Sequence, residues 1–427
     1  MTPSARIEAV IELLAEVMAT PRPADTLASA YFRNRRFIGS KDRQAIANRL
    51  YKIMREYHRL GWWVKRAECE VTARALVIAS LMFEEGYKAG ELGDVFNGGK
   101  YAPAPLSTEE ETLARTLQGE RLENAEMPQR ERLECPDWAY EDLKKVLGAR
   151  FEAEMSAMMG QAPLDLRVNL LKAERDEVLA ELKHDGFDAH AGLISPLSIR
   201  VHGRPQISQH PLFKDGVIEI QDEGSQMVAI VADAKPGEQV VDFCAGAGGK
   251  TLALGASMKN KGRIVAMDVL GGRLMRAKER FRRAGLHNIE TRELSSERDK
   301  FVKRHEKHFD LVLVDAPCSG TGTWRRDPDK RWRQLGPGIS TLVPLQKDIL
   351  DSACRMVKPG GRLVYATCSL LPEENETQIE NFLAAHPDFK LKPASEIVDI
   401  TGVDKYLSVT PARHNTDGFF AAVMVRT

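Results

Sequence analysis

A chain of 427 residues exceeds what one ordinary hydrophobic core holds, so two or three domains are expected. Its 61 basic and 61 acidic side chains cancel, which excludes a molecule-wide field for a polyanion and makes any nucleic-acid surface local. Six cysteines, Cys69, Cys135, Cys244, Cys318, Cys354 and Cys368, show neither a CxxC pair nor metal-ligand spacing. A disulfide scaffold and a metal centre are therefore not expected, and reduced thiols in a cytoplasmic protein are.

The amino terminus carries no signal-peptide pattern, and the apolar run Ala75–Phe83 is far too short for a bilayer span. From Ser4 onward, Ile7, Val10, Ile11, Leu14, Val17 and Met18 recur at helical spacing, with Thr2 or Ser4 available as a cap. Helical character continues through Arg43–Arg59 and Ala73–Phe83, which predicts an all-α domain over residues 1–135. Asn97–Leu106, rich in Gly and Pro, reads as a loop; Glu109–Gln118 reads as a helix capped by Ser107 or Thr108. Basic and aromatic residues interleave from Tyr31 to Arg43, a pattern that suits RNA phosphates and bases as well as an ordinary surface.

Residues 136–225 read as a small α+β module: helical Glu141–Met159, a strand at Leu164–Leu171, the helix Arg175–Lys183, then short apolar runs to Ile220. From Gly237 the rhythm becomes strand, glycine turn, helix, strand, which predicts βαβ units and a parallel sheet over residues 226–427. Its strands are Gln239–Phe243, Arg263–Met267, Asp310–Val314 and Arg362–Ala366, with Gly418–Val425 as a late strand.

Cys244-Ala-Gly-Ala-Gly-Gly249-Lys250-Thr251 follows one strand and opens a helix. Its glycines permit tight turning, and the helix start offers unpaired N–H groups. Three ligands compete. A phosphate loop would end in Gly249-Lys250-Thr251, but its first glycine would fall on Cys244. A dinucleotide needs another glycine spacing. A nucleoside-type cofactor such as S-adenosylmethionine suits the loop together with Asp268, which closes the next strand and can accept ribose hydroxyls.

Asp315-Ala-Pro-Cys318 and Thr367-Cys368-Ser369 each place a thiol just past an apolar run. Neighbouring parallel strands lie about 4.8 Å apart, and ligands collect beyond their carboxyl ends. If these strands are neighbours, both thiols open onto one crevice beside Asp315. Pro372-Glu373-Glu374 suggests a helix starting soon after Cys368, whose amino terminus would favour a thiolate there. Lys250 is a second source of positive potential. Spacing alone does not tell which sulfur attacks. Cys69, Cys135 and Cys354 read as small core hydrophobes.

With these segments in hand the chain resembles the Sun/Fmu (RsmB-like) family of RNA cytosine-5 methyltransferases. The matching pieces include Asp242-Phe-Cys-Ala-Gly-Ala-Gly-Gly-Lys-Thr251, Asp315-Ala-Pro-Cys-Ser-Gly-Thr-Gly322, Arg325-Arg-Asp-Pro-Asp329 and Tyr365-Ala-Thr-Cys-Ser369. Leu166-Arg-Val-Asn169, Gln221-Asp-Glu-Gly-Ser-Gln226, Glu373-Glu-Asn-Glu376 and Asp417-Gly-Phe-Phe420 fit as well, so the likeness runs from Leu166 to the end. The front region resembles a NusB-like RNA-binding domain. The resemblance implies a class I, Rossmann-like methyltransferase domain that binds S-adenosylmethionine through Cys244, Ala245, Gly246, Ala247, Gly248, Gly249, Lys250, Asp268, Arg273 and Asp315. It implies attack by Cys368 on carbon 6 of a cytosine, assistance by Asp315 and product release by Cys318; DNA cytosine-5 methyltransferases attack instead from a Pro-Cys pair. It implies an RNA substrate, most readily small-subunit ribosomal RNA, for a monomer off the membrane. Transfer RNA is the alternative target, and a non-catalytic RNA-binding assembly factor the alternative class. Two departures stand out: Ala247 where many members have Pro, and Ser295-Ser296 where an acid usually faces the adenine. Other than Arg273, the basic helix around Arg276, Lys278, Arg280, Arg282 and Arg283 reads as a solvated face. Arg325, Arg326, Lys330 and Arg331 are expected to contact RNA.

Overall fold

The computed structural model describes all residues of the chain except Arg204 and Gln334. By compactness it divides into two units, Met1–Gly160 with Trp324–Gly336, and Gln161–Thr323 with Pro337–Thr427.

The first unit is helical. Thr2 caps Pro3–Ala19 by accepting the Ala5 N–H at 3.2 Å, and the stripe Ile7, Val10, Leu14, Val17 is buried. The helix expected across Arg43–Arg59 is two helices, Ser40–Arg55 and Tyr57–Arg66. Glu134, fully buried, accepts the N–H groups of His58 and Arg59 at 2.8 and 3.0 Å and so supplies the acceptors that start the second one. Ser107 and Glu110 form a capping box at Thr108–Leu117.

Trp324–Gly336, which follows the Pro-Cys318 turn in sequence, belongs to this helical unit. Trp332 stacks on Tyr57 with centroids 4.1 Å apart. Asp329 accepts the Ala24 N–H at 2.9 Å, and Arg333 donates to the carbonyls of Val17, Thr20 and Arg22. Arg331 is fully buried, donating to the Met158 carbonyl at 2.8 Å, and Arg325 is buried too. The expectation that both line an RNA surface is therefore wrong. These cations, with Trp324, build the interior of the unit.

The second unit holds two sheets. Strands β1 (Leu164–Val168), β2 (Ala189–Ala191), β3 (Ser198–Val201) and β4 (Ile218–Ile220) form an antiparallel sheet in the order β2-β3-β1-β4. The larger sheet has a parallel part made of β5 (Gln239–Asp242), β6 (Arg263–Asp268), β7 (Ile289–Glu293), β8 (Phe309–Asp315) and β9 (Val357–Thr367). Antiparallel β10 (Phe389–Lys392), β11 (Leu407–Val409) and β12 (Phe419–Arg426) complete it, in the order β10-β12-β9-β8-β5-β6-β7 with β11 paired to β12. Successive residues of each central strand enter opposite apolar layers: Val241, Val265, Val312 and Leu363 in one, Val240, Ile264, Leu311 and Val364 in the other. The strand order reverses direction at β5, between β6 and β8, which is where such sheets open a ligand crevice.

Candidate active site

Beyond β5 the chain turns through Cys244–Gly248 into the helix Gly249–Ser257. Gly248 has φ +79°, and a Cβ there would come within 2.5 Å of the Phe281 ring, so only glycine lets the turn pack on the neighbouring helix. Arg167 and Arg280 donate to the carbonyls of Gly249 and Ala247 at 2.8 and 2.6 Å. The Leu166–Asn169 motif thus positions the loop, and Arg280 is no solvated side chain. Asp268, at the end of β6, accepts the Gly246 N–H through one oxygen and the Leu270 N–H through the other, each at 2.8 Å.

Charge decides between the ligand classes. Asp242, Asp268 and Asp315 all act on Cys244, whose thiol is pushed well above its ordinary range by burial and by those carboxylates. Lys250 is spent on Asp315, with Nζ 2.7 Å from Oδ2. With its lysine spent on Asp315 and the Asp268 carboxylate beside it, the loop offers a polyphosphate no spare cation but suits a sulfonium and an ammonium, so the residues fit S-adenosylmethionine better than a phosphate-loop nucleotide.

Asp242 is fully buried. One oxygen accepts the Thr251 hydroxyl at 2.6 Å and the other has no partner. Burial is the main cause that raises its pKa from 3.8 to about 7. A carboxyl whose folded pKa is raised favours the fold most below its unfolded value, and that favour is lost as pH climbs through 7. We expect Asp242→Asn, without cofactor, to gain melting temperature over the parent as pH goes from 5 to 8. A difference that stays flat in calorimetry across that range would show the carboxyl to be ordinary.

β8 and β9 are parallel neighbours, with Asp315 opposite Ala366 and the Ala316 N–H on the Ala366 carbonyl at 2.8 Å. Consequently Cys318 and Cys368 lie with sulfurs 3.4 Å apart, both half-buried. Cys318 Sγ also accepts the Cys368 N–H at 3.4 Å. The bond to Cys368, burial, and the charges of Cys368 and Glu374 push the Cys318 thiol well above its ordinary range. Lys250 is held up above its own ordinary value against burial, by Asp315 first and by Cys368 among its other partners. At this separation the Cys318 thiol can donate a hydrogen bond to Cys368, and Cys368 is among the charges that act on the Lys250 ammonium. The Gly322 N–H donates to the Cys368 carbonyl at 2.9 Å, and the Gly418 N–H to the Gly322 carbonyl at 2.8 Å. A Cβ on Gly322 would overlap the Gly418 carbonyl, so the closing Asp417–Phe420 motif clamps this turn.

The fold thus brings together Cys244–Lys250, Asp268, Asp315, Cys318 and Cys368. Arg273 lies in the first turn of Gly271–Ala284 at the same end of the sheet, its side chain exposed. Ser295 donates its N–H and hydroxyl to Asp299, the cap of Lys300–Arg304; Glu293 ends β7 opposite Asp268 with its carboxylate over Gly271. The helix expected from Pro372 is a short 3-10 turn, Pro372–Glu374, and the α-helix begins only at Glu376. What reaches the thiol pair from there is a buried carboxylate, Glu374. Sequence reasoning missed that, and it also gave no function to Asp242 or Arg167. The signal available was a second acid immediately after Pro372, in a motif already singled out. Cys135 and Cys354 are buried thiols pushed up to about 12 mainly by burial, as core cysteines should be; Cys69 is half-buried.

Comparison with known proteins agrees with this geometry. Residues 229–425 match the family described as 16S rRNA methyltransferase RsmB/F, and residues 135–208 match the ferredoxin-like domain of the RsmF/B-like methyltransferases. The chain is 38% identical over 298 residues to the probable ribosomal RNA small subunit methyltransferase B of Synechocystis sp., covering 68% of this chain and 67% of that protein. The chain belongs to the RsmB/F family. Ribosomal RNA small subunit methyltransferase B of Shewanella oneidensis is 33% identical over 322 residues, covering 75% of this chain and 70% of that one. The crystal structure of PH0851 has a TM-score of 0.81 and 30% identity, covering 100% of this chain and 99% of that chain. A methyltransferase homolog protein from Pyrococcus horikoshii, at 31% identity and TM-score 0.60, covers 70% of this chain and 97% of its own. As an RsmB/F member the protein is an RNA methyltransferase that uses S-adenosylmethionine, which removes the non-catalytic assembly factor as a reading. Among the described residues no helix is long and apolar enough to cross a membrane.

Proposed function

We propose that this protein methylates carbon 5 of a cytosine in small-subunit ribosomal RNA, in the cytoplasm and as a monomer, through a transient bond between Cys368 and carbon 6. The observation that carries the reading is the pair of sulfurs 3.4 Å apart at the ends of adjacent strands, flanked by the Lys250–Asp315 pair. Carbon 5 of cytosine is a poor nucleophile; adding a thiolate at carbon 6 makes the ring an enamine. In this reading Cys368 attacks and Cys318 holds the proton, in keeping with the bond to Cys368, the burial and the Glu374 charge that push the Cys318 thiol up. Asp315 hydrogen-bonds ring nitrogen 3, with Lys250 as the adjacent proton source, so that the charge pushed into the ring is met by a proton. S-adenosylmethionine, when bound, supplies the electrophilic methyl group.

After transfer, the carbon 5 proton passes to a base, the carbon 6–sulfur bond breaks, and its electron pair returns to Cys368. Cys318 is that base: once Cys368 is a thioether, two of the causes that hold the Cys318 proton are gone, and Cys318 gives that proton to solvent before it takes the one from carbon 5. Cys318 keeps the carbon 5 proton, Cys368 leaves as the thiolate, ring nitrogen 3 returns its proton to the Lys250–Asp315 pair, and both sulfurs are as they began.

The cofactor is held by Cys244–Lys250, Asp268, Arg273 and Asp315. Three modules share the work: helical residues 1–135 and the small module 136–225 hold RNA, and 226–427 carries the chemistry. On the helical unit, Ser29, Phe32, Arg33, Arg36 and Arg43 line a groove of about 490 Å³, and Phe37 is 78% exposed, which suits a backbone with unstacked bases. The target cytosine must leave its stack for carbon 6 to be reached, so a single-stranded or loop nucleotide is expected. Bisulfite sequencing of RNA from a strain lacking this chain, beside its parent, tests the reading. One 16S cytosine should lose its signal. Loss in transfer RNA would move the substrate, and no loss anywhere would remove the function.

A further inference from the structure

The Pro372–Glu374 turn puts a fully buried carboxylate where a helix start was expected. Glu374 accepts the Ser319 N–H at 2.9 Å and the Ser319 hydroxyl at 2.5 Å, and it also accepts the Gln346 amide at 2.9 Å. Both of its oxygens are thus committed to the residue that follows Cys318. Its own carbonyl accepts the Tyr365 hydroxyl at 2.7 Å. The Ser319 hydroxyl lies 3.2 Å from that of Ser369, the residue after Cys368, so one network stitches the two thiol turns together.

We propose that Glu374 is a positioning residue of the reaction: it fixes the Cys318 turn against the Cys368 turn, and its charge keeps the proton on Cys318 until Cys368 has attacked. The inference rests on the thiol assignments above. Two sulfurs 3.4 Å apart cannot both ionise, because like charges so close repel strongly. Something must choose which one does. The ionisable groups acting on Cys318 are Cys368, Glu374 and Tyr365, all of them anionic when ionised. Asp315, three residues earlier, is also acidic but already holds Lys250. The Lys250 ammonium, by contrast, is held up by Cys368 among its partners. A carboxylate bonded to the Cys318 turn and a cation that responds to Cys368 make an asymmetry that selects the nucleophile.

Glu374→Gln keeps the shape and one acceptor oxygen for Ser319, whose hydroxyl can turn to accept from the new amide, while removing the charge. Labelling with a haloacetamide, read at each cysteine by mass spectrometry against pH, reports thiolate at each sulfur without RNA or cofactor. In the parent the label should favour Cys368. In Glu374→Gln, labelling of Cys318 near pH 8 should rise about tenfold, the effect of one pKa unit. Turnover should fall with KM for RNA unchanged. Glu374→Asp, which keeps the charge, should leave the label on Cys368. An unchanged Cys318-to-Cys368 ratio in Glu374→Gln overturns the proposal. Should that variant not fold, Ser319→Ala is read instead: it loosens the turn but keeps the charge, so turnover should drop with the label still on Cys368, and a label moved to Cys318 overturns the proposal. Because labelling needs no substrate, its failure is distinct from a failure of the methylation reading.

Discussion

Cys318→Ala will accumulate a covalent protein–RNA adduct that survives a denaturing gel, whereas Cys368→Ala will form none and lose turnover on the order of 10⁴-fold or more. The two thiols sit at equivalent places, each just past a parallel strand, so position does not separate them. Protonation does. Cys318 is raised by its bond to Cys368, by burial and by Glu374, and these outweigh the Cys368 N–H that it accepts, which pulls the other way. It is thus built to hold a proton and pass it on. Removing Cys318 leaves Lys250 and Asp315 in place, so attack and methyl transfer still proceed. What is lost is the group that takes the carbon 5 proton, and the chain stays bonded to its product. Removing Cys368 takes away the sulfur that opens the ring, and nothing downstream can start. An adduct that persists in Cys368→Ala and vanishes in Cys318→Ala would reverse the two assignments, as in enzymes that attack from a Pro-Cys pair.

Much of this was legible before any coordinates. β8 and β9 announce themselves as apolar runs ending in chemistry-bearing turns, and the glycine loop with Asp268 favours a nucleoside-type cofactor over the phosphate-loop and dinucleotide readings. The misreadings have specific physical causes. Glu374 looked like the acidic first turn of a helix, since Pro and Glu favour such positions. Nothing local reveals that its carboxylate would be drawn inward by Ser319, fifty-five residues away. Arg325 and Arg331 looked like a surface because charge usually stays in water. The carbonyl that Arg331 meets belongs to Met158, 173 residues earlier, and only Trp324 and Trp332 in the same run hinted at an interior. The break at Glu56 likewise depends on the distant Glu134. In each case a charged side chain was judged by its type, while its partner lay far along the chain.

Lys250→Met will lower the rate of methylation by about 10²–10³-fold, the scale of losing one preorganised charge at a reacting centre. Lys250 is only 8% exposed, lies 2.7 Å from Asp315 and sits 5.3 Å from the Phe419 ring centroid. Asp315 and Cys368 raise its pKa in spite of burial, so it stays an ammonium across the working range of the enzyme. That cation does two things: it offsets negative charge at Cys368 as the thiolate forms, and it keeps a proton next to Asp315 for ring nitrogen 3. Both act on adduct formation, so the loss should appear in the rate of trapping on a fluorinated-cytosine transcript and not only in turnover. The glycine loop and Asp268 are untouched, and cofactor affinity should change much less, by about tenfold or under. In the parent, a lysine held above its ordinary pKa loses its proton only in strong alkali, so the rate should not fall between pH 7 and 9 on its account. Trapping in Lys250→Met within a few-fold of the parent would mean that the Lys250–Asp315 pair is scaffolding, and that the charge favouring the thiolate comes from somewhere else.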